Sequence, residues 1–209
     1  MAKVLLIGDS ISLDYGTCLP AFLNKEIIVY DKPGKEEAYK DLDTPLGGNG
    51  GDSSMVLQYL RELQEQKKLN CDLFVFNCGL HDIKHSRETN DIQVPIDEYV
   101  KNLHSILDIM QAHHIPTVFV NSTPSATERY SKIRSFYRLT EDMPVYNAAA
   151  QQAMAERGIP VIDLYAFTCA LDLTGDDLFR DHTHFQPEVI KLHAAFVAGY
   201  INAFVANLP

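Results

Sequence analysis

The chain has 209 residues, of which 46% are hydrophobic and 22% charged, the balance of an ordinary globular protein long enough to close one full core. Its formal net charge of -10 argues against a nucleic-acid partner and against adhesion to an anionic membrane, because both need clustered Lys and Arg. No apolar run is read as long enough for membrane insertion, and the opening MAKVLLIGDS is too short in its basic and apolar parts for a signal peptide, so a cytoplasmic location is expected.

In chain order, short apolar runs alternate with helical patterns. Val4 to Ile7, Ile27 to Tyr30, Leu73 to Phe76, Val118 to Val120 and Ile159 to Ile162 have the length and β-rich character of strands buried on both faces. Helical periodicity falls on Ser53 to Lys68, with Met55, Leu57, Leu60 and Leu63 on one side and Asp52-Ser53-Ser54 as capping residues. It recurs at Ile96 to His113 through Tyr99, Leu103, Ile106, Leu107 and Met110, at Pro144 to Arg157 before Gly158, and at Glu188 to Ala206. Strands alternating with helices predict a parallel sheet with right-handed crossovers. The expectation is α/β: a three-layer α/β/α sandwich with a five-stranded parallel sheet, flavodoxin-like, in a single domain over residues 1–209. Any ligand site would then lie beyond the carboxyl ends of the strands. Two connections are long, Asp31 to Gly51 and Asn121 to Met143, and long ordered loops are commonly functional. The second carries Arg129, Tyr130, Arg134, Tyr137 and Arg138. The four cysteines Cys18, Cys71, Cys78 and Cys169 match no zinc or redox spacing and read as small buried hydrophobes.

Four polar groups fall at predicted strand ends. Gly8-Asp9-Ser10 follows the first strand, and a serine there either caps the next helix or offers a nucleophile to the cleft. Asp181-His182-Thr183-His184 precedes the last helix. Asp181 and His184 are spaced so that one turn joins carboxylate to imidazole, which is what a serine's base requires. The same stretch also reads as a metal site through Asp181, His182 and His184, or as a solvated loop. Gly48-Asn49-Gly50-Gly51-Asp52 is either a flexible turn or a source of backbone N–H groups for an oxyanion. Phe76-Asn77-Cys78-Gly79-Leu80-His81-Asp82 places His81 as an oxyanion donor, a base, a ligand or a structural residue. Taken together, the four supply nucleophile, base, orienting acceptor and oxyanion donors on one face.

The ordered set resembles the SGNH, or GDSL, hydrolase family: VLLIGDSIS with Ser10, GGDSS with Gly51, Gly79-Leu80-His81-Asp82 after the third strand, and Asp181 with His184 before the final helix. The resemblance implies catalytic Ser10, Asp181 and His184, an oxyanion hole from Ser10, Gly51 and His81, no metal and no cofactor. It implies a serine ester hydrolase acting on a small-molecule acyl ester, with an acetyl group on a carbohydrate-like carrier as the expected type, and Asp9 and Asp82 bracing turns. The pattern departs from the family at His81, where the family has an Asn that donates its amide. A neutral imidazole has one N–H and donates once. The hole then works with His, is tuned to a particular substrate, or is weakened. Arg129, Arg134 and Arg138 are read either as facing an anionic substrate or as a solvated charged segment. Two other functions stay open, a metal-dependent hydrolase and a non-catalytic binding member of the same fold. Oligomeric state is not read from the sequence.

Overall fold

In a computed structural model, described over residues 1–129 and 134–208, five strands form one parallel sheet. They are β1 (Ala2–Ile7), β2 (Ile27–Asp31), β3 (Leu73–Phe76), β4 (Thr117–Val120) and β5 (Val161–Ile162), in spatial order β2-β1-β3-β4-β5. The interior of each is apolar for a physical reason. Strands covered by helices on both faces have no solvent side, so Val4 to Ile7, Leu73 to Phe76 and Val118 to Val120 are all buried. Phe74 stacks on Phe76 at 5.1 Å between ring centroids, and Phe119 meets Phe76 edge-on at 5.0 Å, tying β3 to β4.

Six helices flank the sheet: α1 (Ser10–Cys18), α2 (Ser53–Glu65), α3 (Ile96–Ala112), α4 (Asp142–Glu156), α5 (Leu164–Ala170) and α6 (Pro187–Ala206). The chain steps from β1 to β2 in one direction, then crosses back past β1 to β3 and continues to β4 and β5 in the other. With right-handed crossovers this puts α1 on one face, joined there by α6, and α2, α3 and α4 side by side on the opposite face. The result is the expected three-layer sandwich. The strand order reverses between β1 and β3, and that switch point is where an open α/β sheet leaves a crevice.

The structure differs from the expectation in several places. β5 begins at Val161, because Ile159 donates to the Met154 carbonyl and so belongs to the end of α4, while Pro160 has no N–H to give. On α2 the buried set is Ser53, Val56, Leu57 and Leu60, with Met55 and Leu63 only partly covered. Cys78 is buried as expected, but Cys18 and Cys71 are half-buried and Cys169 is exposed. Helix α6 is long and apolar enough, by length and composition alone, to cross a membrane, contrary to the reading of the sequence. Here it packs against α1, burying Val189, Ile190, His193, Ala194, Val197, Ala198 and Ile201. Tyr130 of the long second connection lies outside the described residues. Further along the same connection, Phe136–Tyr137 pairs antiparallel with His85–Ser86, strapping that segment over the carboxyl end of β3.

Candidate active site

The turn after β1 sets the first group. The Oδ1 of Asp9 accepts the Ile11 N–H at 2.9 Å and caps α1, so the capping task does not fall to Ser10. Ser10 occupies the first position of α1, where the backbone N–H has no intrahelical partner, and none is present among the described residues. The Gly48–Gly51 loop comes close enough for the Gly50 N–H to donate to the Gly8 carbonyl at 2.7 Å. A Cβ on Gly50 would sit 2.7 Å from that same oxygen, so only glycine permits the approach.

Ser10, His184 and Asp181 form one chain. The Ser10 hydroxyl is 2.9 Å from His184 Nε2, and His184 Nδ1 is 2.8 Å from Asp181 Oδ2. The other carboxylate oxygen, Oδ1, accepts the backbone N–H groups of Thr183 and His184, each at 2.8 Å. With Asp181 ionised, the proton of His184 lies on Nδ1 and its lone pair faces Ser10. Burial works against the Asp181 charge, but the hydrogen bond and positive charge of His184 and the two backbone donors outweigh it. They hold the carboxyl well below its ordinary range. Ser10 and His184 are both buried, which removes water from the nucleophile and its base.

The oxyanion candidates are arranged less simply. Gly51, at φ +72°, gives its N–H to Asn49 Oδ1 at 3.0 Å, so it is not a free donor in this state and serves an oxyanion only by sharing or exchanging that bond. His81 is buried, and its Nδ1 lies 2.9 Å from Lys84 Nζ. Burial first, then the nearby charges of Lys84, Arg138 and His184, push the His81 pKa well below the ordinary imidazole value, so the ring is neutral. Asp82 beside it braces a turn, both its oxygens accepting the Ser53 N–H at 2.9 and 3.1 Å. Burial lifts the Asp82 pKa to about 7, with only partial relief from Ser53.

His182 and His184 do not converge on one point. His182 Nε2 donates to Asp43 Oδ1 at 3.0 Å, while His184 Nε2 faces Ser10. The ligand set imagined for a metal is thus directed at different partners, and no cluster of three metal-type side chains occurs among the described residues. The arginines of the long connection turn inward or pair. Arg134 bridges Asp41 and Asp43, Arg129 pairs with Asp176 at 2.8 Å, and Arg138 is buried with Nη1 donating to Thr183 Oγ1 at 3.0 Å and Nε donating to the Leu80 carbonyl. Burial alone would raise the Asp43 pKa, but His182, Arg134 and Arg138 hold it below its ordinary value. A cavity of about 240 Å³ reaches His184 and Asp181, and a larger one of about 870 Å³ is lined by Lys84, Gln93 and Phe136. Both are lined by Asp41, Asp43 and Arg134, so they adjoin.

Of the residues singled out in the sequence, Ser10, His184 and Asp181 are joined in one chain, Gly51 is bonded to Asn49, and His81 is joined to Lys84, which with Asp43 the sequence did not single out. Lys84 had a signal that went unused: it lies three residues past His81 in the same turn, a spacing that brings side chains together. Asp43 carried none beyond membership of the long loop, and Asn49 stood in the Gly-rich stretch without a role of its own.

The chain matches the model of the GDSL-like lipase/acylhydrolase family over residues 6–191. Among solved structures it is similar to a lipase/acylhydrolase from Enterococcus faecalis, at 20% identity and a TM-score of 0.68, covering 98% of this chain and 97% of that one. A GDSL-like lipase from Bacteroides thetaiotaomicron gives 18% identity and a TM-score of 0.68, covering 97% and 89%. An acetyl xylan esterase, AlAXEase, gives 15% identity and a TM-score of 0.66, covering 95% and 99%. A comparison with curated proteins finds no match.

Proposed function

Because the chain belongs to the GDSL-like lipase/acylhydrolase family, and so is an enzyme of the acylhydrolase class, we propose that it cleaves a small acyl ester through an acyl-enzyme on Ser10. The observation that carries this reading is the unbroken hydrogen-bond chain from Ser10 through His184 to Asp181 at the switch point of the sheet.

As His184 Nε2 takes the hydroxyl proton, Ser10 Oγ forms a bond to the ester carbonyl carbon. The carbonyl π pair moves onto oxygen, and the Ser10 N–H and His81 face the resulting anion, with Gly51 joining if it releases Asn49. Asp181 holds His184 in the required tautomer and stabilises its imidazolium. Collapse of the intermediate breaks the bond to the leaving alcohol, which takes the proton from His184. Water then attacks the acyl-Ser10 by the same steps in reverse order, releasing the acid and restoring Ser10. No step calls on a metal or an organic cofactor.

The adjoining cavity supports a polar carrier, because Asp41, Asp43, Gln93, Arg134 and Lys84 offer hydrogen bonds beside a smaller set of apolar side chains, Pro45, Ile92 and Phe136. An acetyl group on a carbohydrate-like carrier fits that lining, and the similarity to an acetyl xylan esterase agrees with it. The test is intact mass after exposure to a fluorophosphonate probe, beside hydrolysis of p-nitrophenyl acetate. One adduct mapped to Ser10, absent from Ser10→Ala along with the hydrolysis, is the expected result. A Ser10→Ala protein that still hydrolyses the ester sinks the assignment.

A further inference from the structure

We infer that Lys84 is a positioning residue that holds the proton of His81 on Nε2 and so makes His81 a hydrogen-bond donor to the oxyanion. The inference rests on the serine-hydrolase reading above and deepens it at one residue. An Asn at this position would carry its N–H groups whatever surrounded it. A neutral imidazole carries one N–H that can sit on either nitrogen, so whether it stabilises or repels an anion depends on which nitrogen its neighbours leave bare.

The neighbours decide it here. Lys84 Nζ is 2.9 Å from His81 Nδ1, and the same nitrogen donates to the Asp43 carbonyl at 2.6 Å. It also lies 4.4 Å from the centre of the Phe136 ring, which caps its remaining side. An ammonium has three protons and no lone pair, so toward Nδ1 it can only donate. Nδ1 must then accept, and the ring's single proton is on Nε2. That atom has no partner among the described residues and is not among the polar atoms sealed off unsatisfied in the interior. The alternative route to a proton on Nε2, a doubly protonated ring, is closed by burial and by the charges of Lys84, Arg138 and His184 around it.

Lys84 is itself held. Its backbone N–H donates to the His81 carbonyl across the turn, and Asp43 is fixed in turn by His182 and Arg134. Burial and the Arg138 charge draw the Lys84 pKa down to about 7, against the carboxylates of Asp43, Asp41 and Asp52. At pH 6 it is therefore mainly the ammonium. Well above pH 7 it becomes an amine that can accept as well as donate, and the second tautomer of His81 is no longer forbidden.

Two measurements at pH 6 test this. The first is the side-chain nitrogen spectrum of His81 in uniformly labelled parent protein, assigned with His81→Asn. A pyrrole-like Nε2 and a pyridine-like Nδ1 are expected; a protonated Nδ1, alone or with Nε2, overturns the inference. The second is a double-mutant cycle of Lys84→Met with His81→Asn, read as kcat and KM for p-nitrophenyl acetate. One oxyanion donor is worth roughly 10²–10³ in rate, and Lys84→Met should forfeit about tenfold or more of kcat with little change in KM. In the His81→Asn background, where no tautomer is left to set, the same change should cost less than about threefold. Equal losses in both backgrounds would make Lys84 a brace for the Asp43 loop and nothing more. If Lys84→Met does not fold, the spectrum of the parent decides. A parent that neither hydrolyses esters nor takes the fluorophosphonate, yet shows the proton on Nε2, would remove the esterase reading and leave the proton assignment standing.

Discussion

Replacing Asp181 by Asn should disable the enzyme while leaving its fold intact, and the local hydrogen bonds say why. Asp181 Oδ1 accepts two backbone N–H groups and Oδ2 accepts one from His184 Nδ1. An Asn has one accepting end and one donating end. Turning its NH₂ toward the two backbone donors would set donors against donors and lose two bonds at once. The carbonyl therefore stays on the backbone side and the NH₂ faces His184 Nδ1. That nitrogen must then accept, which moves the imidazole proton to Nε2, opposite the Ser10 hydroxyl. A protonated Nε2 cannot act as the base. The same exchange in Ser–His–Asp proteases lowers kcat by about 10⁴, or about 5 kcal/mol of barrier, and a comparable loss is expected here. Because the turn keeps both backbone bonds the fold should survive, while the melting temperature falls, since a neutral Asn gives up the charged contacts that hold the Asp181 carboxyl below its ordinary range. The assay is kcat/KM for p-nitrophenyl acetate across pH 5 to 9, with thermal melting alongside. An Asp181→Asn enzyme within tenfold of the parent would refute the assignment of Asp181 as the orienting acceptor.

Two further predictions concern the frame around the site. His193 in α6 is buried, bonded through Nε2 to Thr168 Oγ1 at 2.9 Å with Nδ1 unpartnered, and burial lowers its pKa to about 4. Since the unfolded chain binds that proton near pH 6.5, the contribution is full above pH 6.5 and lost as pH falls toward 4. By linkage the loss at pH 5 is about 2 kcal/mol. The stability gap between the parent and His193→Gln, measured by urea unfolding, should narrow by that much from pH 7 to pH 5; a gap that does not change with pH removes the argument. Gly50→Ala puts a Cβ 2.7 Å from the Gly8 carbonyl oxygen, backbone against backbone. It should destabilise by about 1–3 kcal/mol and lower kcat by shifting the Gly51 loop, whereas normal activity and unfolding midpoint would mean the loop yields freely.

The strands and the chemistry at their ends were legible because both follow local rules. Apolar runs such as Leu73 to Phe76 have the length and β-rich composition of buried strands, and the parallel sheet directs its site to whatever follows them. Ser10 and His184 stand in segments at the ends of such strands, and the family resemblance singles them out there. What stayed hidden depends on which of two neighbours takes a bond. Asp9 rather than Ser10 caps α1, and Asn49 takes the Gly51 N–H expected for the oxyanion. Arg134 and Arg138 left two readings open, an anionic substrate or a solvated charged segment, and instead pair with Asp43 and Thr183 on either side of the Phe136–Tyr137 strap on His85–Ser86. Helix α6 has the length and hydropathy of a span because its only charges, Glu188 and Lys191, lie in its first turns, and its apolar face is spent instead on α1.

The two site histidines show how one fold sets opposite demands on one side chain. In the proposed mechanism His184 gains a proton as Ser10 attacks, and it faces a carboxylate that is held ionised by two backbone donors. His81 must never gain one, since a second imidazolium beside the first would oppose the step that creates it. It is accordingly buried, with the positive charges of Lys84 and Arg138 beside it. In both cases the neighbour contacts Nδ1 and thereby decides what Nε2 does: Asp181 accepts, leaving a lone pair on His184, and Lys84 donates, leaving a proton on His81. Exchanging an amide for an imidazole at position 81 is therefore not a change at one residue. It moves the choice of donor from the covalent structure of a side chain to the charge of the residue one turn away, and a reading of the motif that ends at Asp82 stops two residues short of the group that makes the motif work.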